Sequence, residues 1–139
     1  MVNCIFCKII AGDAKSYKLY ESEYSFAFLD INPISEGHTV VIPKKHVQSI
    51  EEWPEDVASH FMVDLVKISK HIKEALKLDG INILQNNGKA AGQVVMHSHF
   101  HIIPRRNNDG VLNIEMLGKN RPKMTDERFK ELHEQMKLK

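Results

Sequence analysis

Apolar and polar positions recur along this chain with periods that mark out its elements. Asn3-Cys4-Ile5-Phe6-Cys7-Lys8-Ile9-Ile10 suits a short helix, with Asn3 placed to cap its start and Gly12-Asp13 to end it. Tyr17-Lys18-Leu19-Tyr20 and Tyr24-Ser25-Phe26-Ala27-Phe28-Leu29 predict two strands, joined as a hairpin by Glu21-Ser22-Glu23. Asn32-Pro33 breaks the run, and Gly37-His38-Thr39-Val40-Val41-Ile42-Pro43 predicts a third strand rich in β-branched residues. From Pro54-Glu55-Asp56 the pattern becomes helical, with proline suited to the first helical position and acids to the first turn. Val57, Phe61, Leu65, Ile68, Ile72 and Leu76 form its apolar stripe; Asp64, Lys67, His71 and Glu74 mark the opposite face; Asp79-Gly80 closes it. Ile81-Asn82-Ile83-Leu84 predicts a fourth strand, followed by a polar, glycine-bearing loop from Asn86 to Gly92. Asn107-Asn108-Asp109-Gly110 is a turn signal, and Thr125-Asp126-Glu127 opens a last helix with Phe129, Leu132 and Met136 on one side. Strands, helix, strands, helix, with a hairpin at the start, predict a largely antiparallel α+β domain.

The fifth strand carries the chemistry. In Met96-His97-Ser98-His99-Phe100-His101-Ile102-Ile103-Pro104, three histidines stand at alternating positions. A strand turns such residues to one face in steps of roughly 6.6 Å, and turns Phe100 and Ile102 into apolar packing on the other. Imidazole binds metal, relays protons or attacks as a nucleophile near neutral pH. The spacing alone leaves open a catalytic zinc site, nucleophilic catalysis by one histidine, or a polar solvent-facing strand. One straight strand does not converge three rings on a single ion, so a three-ligand zinc site would draw on another segment. Cys4-x-x-Cys7 offers half of a tetrahedral zinc site. Its other readings are two unconnected buried cysteines or a redox pair, and the redox pair lacks the βαβ unit it needs. The remaining ligands would come from His38, His46 and the row. His60, His71 and His133 sit on helices, and His60 and His71, on the polar side, read as solvent-facing.

Composition narrows the class. The chain has 139 residues, 42% hydrophobic and 27% charged, enough for one domain with a real core. A net charge of +1 gives no broad basic field for nucleic acid. No apolar run approaches the ~20 residues that span a bilayer, and Met1-Val2-Asn3-Cys4 lacks the regions of a signal peptide. Two cysteines make no secreted disulfide framework. The expectation is a soluble, cytoplasmic protein with no nucleic-acid or membrane partner.

At the row the sequence resembles the histidine triad (HIT) family, most closely its bacterial members in the branch of small nucleotide hydrolases. The motif reads His97-Ser98-His99-Phe100-His101-Ile102-Ile103. Cys4-Ile5-Phe6-Cys7-Lys8-Ile9-Ile10, Ala27-Phe28-Leu29-Asp30-Ile31-Asn32-Pro33, Gly37-His38-Thr39-Val40-Val41-Ile42-Pro43-Lys44-Lys45-His46 and Ala91-Gly92-Gln93 match family blocks in order. The likeness covers about residues 3–105 of a single domain 1–139, leaving a C-terminal loop and helix over 106–139. It implies a five-stranded, mainly antiparallel sheet with two main helices, continued across a homodimer.

The resemblance also implies roles. His99 is the nucleophile on the α-phosphorus of a nucleotide, its other ring nitrogen held by the His97 carbonyl. His101 contacts a phosphate oxygen or the leaving group, and His38 stands beside the site as a relay. Asn86 and Gln93 donate to phosphate oxygens. Ile5, Phe6, Ile9, Phe28 and Ile31 enclose the nucleoside, and Asp30 accepts from the ribose hydroxyls. Cys4, Cys7, His46 and His97 hold one structural zinc, with His38 able to exchange roles with His46. Two residues depart from the pattern: Ser98 replaces an apolar residue, and Val94 stands where some members carry a phosphate-binding serine. The implied activity is hydrolysis or transfer at the α-phosphate of adenosine or other purine nucleotides, such as phosphoramidates or dinucleoside polyphosphates, through a nucleotidyl-histidine. The competing expectations are a nucleotide-binding regulatory module with weak turnover, and a zinc hydrolase with an open metal position.

Overall fold

A computed structural model describes residues 3–111 and 123–137. Part of the expected C-terminal loop therefore lies outside the described residues. The elements are α1 (Ile5–Ala11), β1 (Lys18–Glu21), β2 (Ser25–Leu29), β3 (Thr39–Pro43), α2 (Glu55–Ala75), β4 (Gly80–Gln85), β5 (Phe100–Arg105) and α3 (Asp126–Met136). The five strands form one antiparallel sheet in the order β1-β2-β3-β5-β4. No helix among the described residues is long and apolar enough to cross a membrane.

Strand alternation divides the core in two. Ala27, Val41, Phe100 and Ile102 point to one face and pack against Phe61, Leu65, Ile68 and Ile72 of α2. Phe26, Phe28, Val40 and Ile42 point to the other and pack against Cys4, Phe6 and Ile9 at the N-terminal helix. β3 lies between β2 and β5 and is buried along its whole length. Val40 pairs with His101, which places His101 on the α1 side of the sheet.

Several local expectations shift. Cys4, not Asn3, caps α1: its Sγ accepts from the Cys7 amide at 3.3 Å, and Gly12 ends the helix in the left-handed region. Pro54 stands just before α2 rather than as its first residue, and the helix ends at Ala75, so that Gly80 begins β4 instead of closing the helix. Leu76, expected on the buried stripe, is exposed past the helix end. Asp64, expected on the polar face, is buried and accepts from Tyr20 Oη (3.0 Å) and Ser22 Oγ (2.6 Å), tying the first hairpin to α2. Thr125 caps α3 as its sequence predicts, while Phe129 and Met136 remain exposed.

Candidate active site

The histidine row keeps its face but not its strand. β5 begins only at Phe100, so His97 and His99 lie on the irregular approach to it. The Ser98 amide donates to the Val47 carbonyl at 2.7 Å, which draws this approach onto the segment after β3. Both early rings still meet α1: Phe6 lies edge-on to His97 (5.8 Å between centroids) and to His99 (5.1 Å). His99 and His101 are 5.0 Å apart by centroid. Phe100 and Ile102 point away into the α2 core, as the alternation predicts.

Hydrogen bonds fix where each ring carries its proton. His97 Nε2–H donates to the Pro43 carbonyl at 2.8 Å, so Nδ1 presents a lone pair. His99 Nδ1–H donates to the His97 carbonyl at 2.7 Å, so Nε2 carries the lone pair. The Ile34 amide donates to His38 Nδ1 at 3.0 Å. His38 must then carry its proton on Nε2, and donates it to His101 Nδ1 at 2.9 Å. His101 is left with Nε2–H as a donor. Burial lowers the pKa of each ring: His97 and His101 fall to about 4, and His99 and His38 also fall. Asp30, whose Oδ2 is 3.5 Å from His38 Nε2, opposes part of the shift at His38, His99 and His101. The rings are therefore neutral near pH 7, the form a nucleophile and an oriented donor need.

Cys4, Cys7, His46 and His97 form a second cluster, their donor atoms within 4.8 Å of one another. Cys4 Sγ and Cys7 Sγ lie 3.4 and 3.6 Å from His97 Nδ1, and Cys7 Sγ lies 3.3 Å from His46 Nδ1. Zinc–sulfur and zinc–nitrogen bonds of about 2.3 and 2.0–2.1 Å give a tetrahedral S···N edge of about 3.5 Å. These three contacts match such an edge, and the lone pair of His97 faces the sulfurs. His46, and not His38, completes this set. Asp30, His38 and His101 also lie close together. There the Ile34 amide occupies His38 Nδ1 and holds a proton on Nε2, so the trio is a hydrogen-bond chain rather than a ligand set.

The expected nucleoside residues divide by burial. Phe6, Ile9 and Phe28 are buried in the α1-side core, whereas Ile5 and Ile31 are exposed. Asp30 is half-buried and its Oδ1 accepts from the Asn32 amide at 2.8 Å. Gln93 differs from the expectation that it donates to phosphate. Its Nε2 donates to the carbonyls of Gln48 (2.8 Å) and Val95 (3.0 Å), and its Oε1 accepts from Gly88 N–H (2.7 Å). Both amide hydrogens are engaged, so Gln93 shapes the loop before the triad. Asn86, in the amide orientation that satisfies its neighbours, donates to the carbonyls of Ala91 and Gln85 and shapes the same loop. Val94 is exposed. Sequence reasoning missed the Ile34 amide and Trp53, whose Nε1–H donates to Ser98 Oγ at 3.0 Å; a main-chain donor leaves no residue-type signal.

Comparison with known proteins places the chain in a family. Residues 11–108 match the HIT domain family. The chain is 50% identical over 103 residues to the Hit protein of Bacillus subtilis, covering 74% of this chain and 71% of that protein. It is equally 50% identical over 103 residues to the adenosine 5'-monophosphoramidase of Saccharomyces cerevisiae, covering 74% of this chain but only 63% of the yeast protein. A zinc-bound histidine triad family protein from Mycobacterium smegmatis shares the fold with a TM-score of 0.75 and 40% identity, over 80% of this chain and 81% of that one. The chain belongs to the HIT-domain family.

Proposed function

We propose that the protein hydrolyses adenosine or related purine nucleotides at the α-phosphate, with phosphoramidates and dinucleoside polyphosphates as substrate classes. The observation that carries this reading is the 2.7 Å bond from His99 Nδ1–H to the His97 carbonyl, which leaves Nε2 unprotonated for attack. In the first step the bond from Nε2 to phosphorus forms and the bond from phosphorus to the leaving group breaks. Water then attacks phosphorus, the Nε2–phosphorus bond breaks, and the nucleoside monophosphate leaves. His101 Nε2–H donates a hydrogen bond where charge builds on the leaving atom. Asp30 retains acceptor capacity for two ribose hydroxyls, and the exposed Ile5 and Ile31 offer apolar contact to the base. The name of the yeast relative supports adenosine and the phosphoramidate class.

Zinc suits the Cys4–Cys7–His46–His97 set. Four protein donors leave no open position, so bound zinc supplies a structural cross-link rather than Lewis-acid chemistry. These residues join the N-terminal helix to the segment that carries the nucleophile. We also assign the β4 edge, where Ile83 and Leu84 are exposed, to sheet continuation across a homodimer. Free thiols at both cysteines suit the cytoplasm.

Purified protein is expected to release AMP from adenosine 5'-phosphoramidate, and His99→Ala to abolish that release while still binding AMP. Full turnover by His99→Ala overturns the mechanism. Tight AMP binding with negligible wild-type turnover would instead make the protein a nucleotide-binding module.

A further inference from the structure

Ser98 sits between the two buried histidines and is itself fully buried. Its surroundings are polar, although the α2 side of the sheet is mainly an apolar core. Trp53 Nε1–H donates to Ser98 Oγ at 3.0 Å, and Gln85 Nε2–H donates at 3.4 Å. Gln85 is in turn paired with Asn87, whose Oδ1 accepts from the Ile50 amide at 2.8 Å. Trp53 packs edge-on against Phe61 (4.8 Å) and Phe100 (5.8 Å), so its indole is a fixed donor rather than a mobile one.

The peptide unit joining His97 to Ser98 is bonded at both ends. Its N–H donates to the Val47 carbonyl at 2.7 Å, and its C=O accepts from His99 Nδ1–H at 2.7 Å. A peptide whose N–H is engaged is a stronger acceptor at its C=O, because hydrogen bonds in series polarise one another. The orientation of this one peptide plane therefore decides whether His99 keeps its proton on Nδ1. The His97 ring anchors one side of this peptide through Pro43 and the cysteine cluster, and the Ser98 side chain lies on the other.

We propose that Ser98 is a positioning residue for His99: its hydroxyl, gripped by Trp53 and Gln85, holds the 97–98 peptide in the plane that orients the nucleophile's imidazole. This inference rests on His99 being the nucleophile. It makes the serine a functional departure from an apolar motif position, linking the active site on one face of the sheet to the segment preceding α2 on the other.

The test uses full-length, metal-loaded protein and two variants that reach the bond from opposite sides. Ser98→Ala removes the acceptor. Trp53→Phe removes the donor and keeps the ring that packs on Phe61 and Phe100. Ring nitrogen-15 NMR at one neutral pH reports the His99 tautomer without substrate. Both variants are expected to move His99 from a single Nδ1–H form to a mixture. Both should lower kcat for adenosine 5'-phosphoramidate on the order of tenfold, with KM changed less than twofold, and the double variant should cost little more than either single one. Unchanged His99 signals and unchanged kcat in both variants overturn the proposal, whatever happens to the melting temperature. A change in Ser98→Ala that Trp53→Phe does not share overturns it as well. If the wild type does not turn over phosphoramidate, the NMR arm still decides the role of Ser98 while the assigned activity fails separately.

Discussion

His38 and His101 share one hydrogen bond, from Nε2 to Nδ1 at 2.9 Å, and the Ile34 amide on the far nitrogen of His38 sets its direction. The two rings form a unit that leaves Nε2–H of His101 as the outward donor, which the proposed mechanism directs at the leaving group. His38→Phe keeps a ring but deletes the donor. It should lower kcat for a phosphoramidate, whose nitrogen leaves poorly, on the order of 10²-fold. Hydrolysis of a p-nitrophenyl ester of AMP, whose leaving group needs little help, should stay near the wild-type rate. Equal losses on both substrates would show that His38 acts only by packing.

The buried rings set the acid side of the pH profile. Burial lowers His99 below its ordinary 6.5, against the raising effect of its bond to His97 and of Asp30, and attack requires the neutral ring. Activity should persist below pH 6.5 and fall further into acid. Stability follows the same sign. His101 is held neutral down to about pH 4, while the unfolded chain takes up a proton near 6.5. Its contribution is complete above 6.5 and is lost as pH falls towards 4, by up to about 3 kcal/mol. Urea unfolding across that window should show the decline; a flat profile would place the histidines in solvent.

Metal uptake should be visibly coupled to protons. Burial, with Cys4 beside it, raises the Cys7 thiol to about 11 without metal. Binding zinc requires thiolates, so chelated protein at pH 7 should release protons on zinc addition and bind more weakly as pH falls. Titration calorimetry in buffers of differing ionisation enthalpy measures this directly. Identical heats in every buffer would rule out thiolate ligation.

Asp64 offers a stability test remote from the chemistry. Asp64→Ala leaves the Tyr20 and Ser22 hydroxyls without their acceptor, and should cost about 2–3 kcal/mol in urea unfolding. Because Asp64 lies on α2, across the sheet from His99, kcat of the folded fraction should not change.

Local pattern made most of the architecture legible, because the periods are set by packing on two sides of one sheet. Phe61, Leu65, Ile68 and Ile72 do bury together, Val57 is buried as well, and the hairpin, β3 and β4 lie where alternation and turn residues put them. The failures that bear on the core and the site are long-range. Asp64 looks solvent-facing by helical period, and only the distant hydroxyls of Tyr20 and Ser22 explain its burial. The histidine row looks like continuous strand, but bonds to distant groups, the Val47 and Pro43 carbonyls and the Trp53 indole, hold its first half off the strand path. The cysteine–histidine cluster was reachable only through family likeness, because spacing says nothing about which histidine a fold will deliver. Gln93 shows the limit of that likeness: its amide hydrogens go to Gln48 and Val95.

The cysteine cluster joins residues 93 positions apart in sequence, Cys4 and His97. A contact of that span closes a loop comprising most of the domain, which is slow to form and cannot preform on a partial chain. During synthesis α1 can pack on β2 and β3 as they emerge, but Cys4 must wait for His97, 93 residues later. Closure of the N-terminal segment onto the segment that bears His99 is therefore a late event in the life of each molecule.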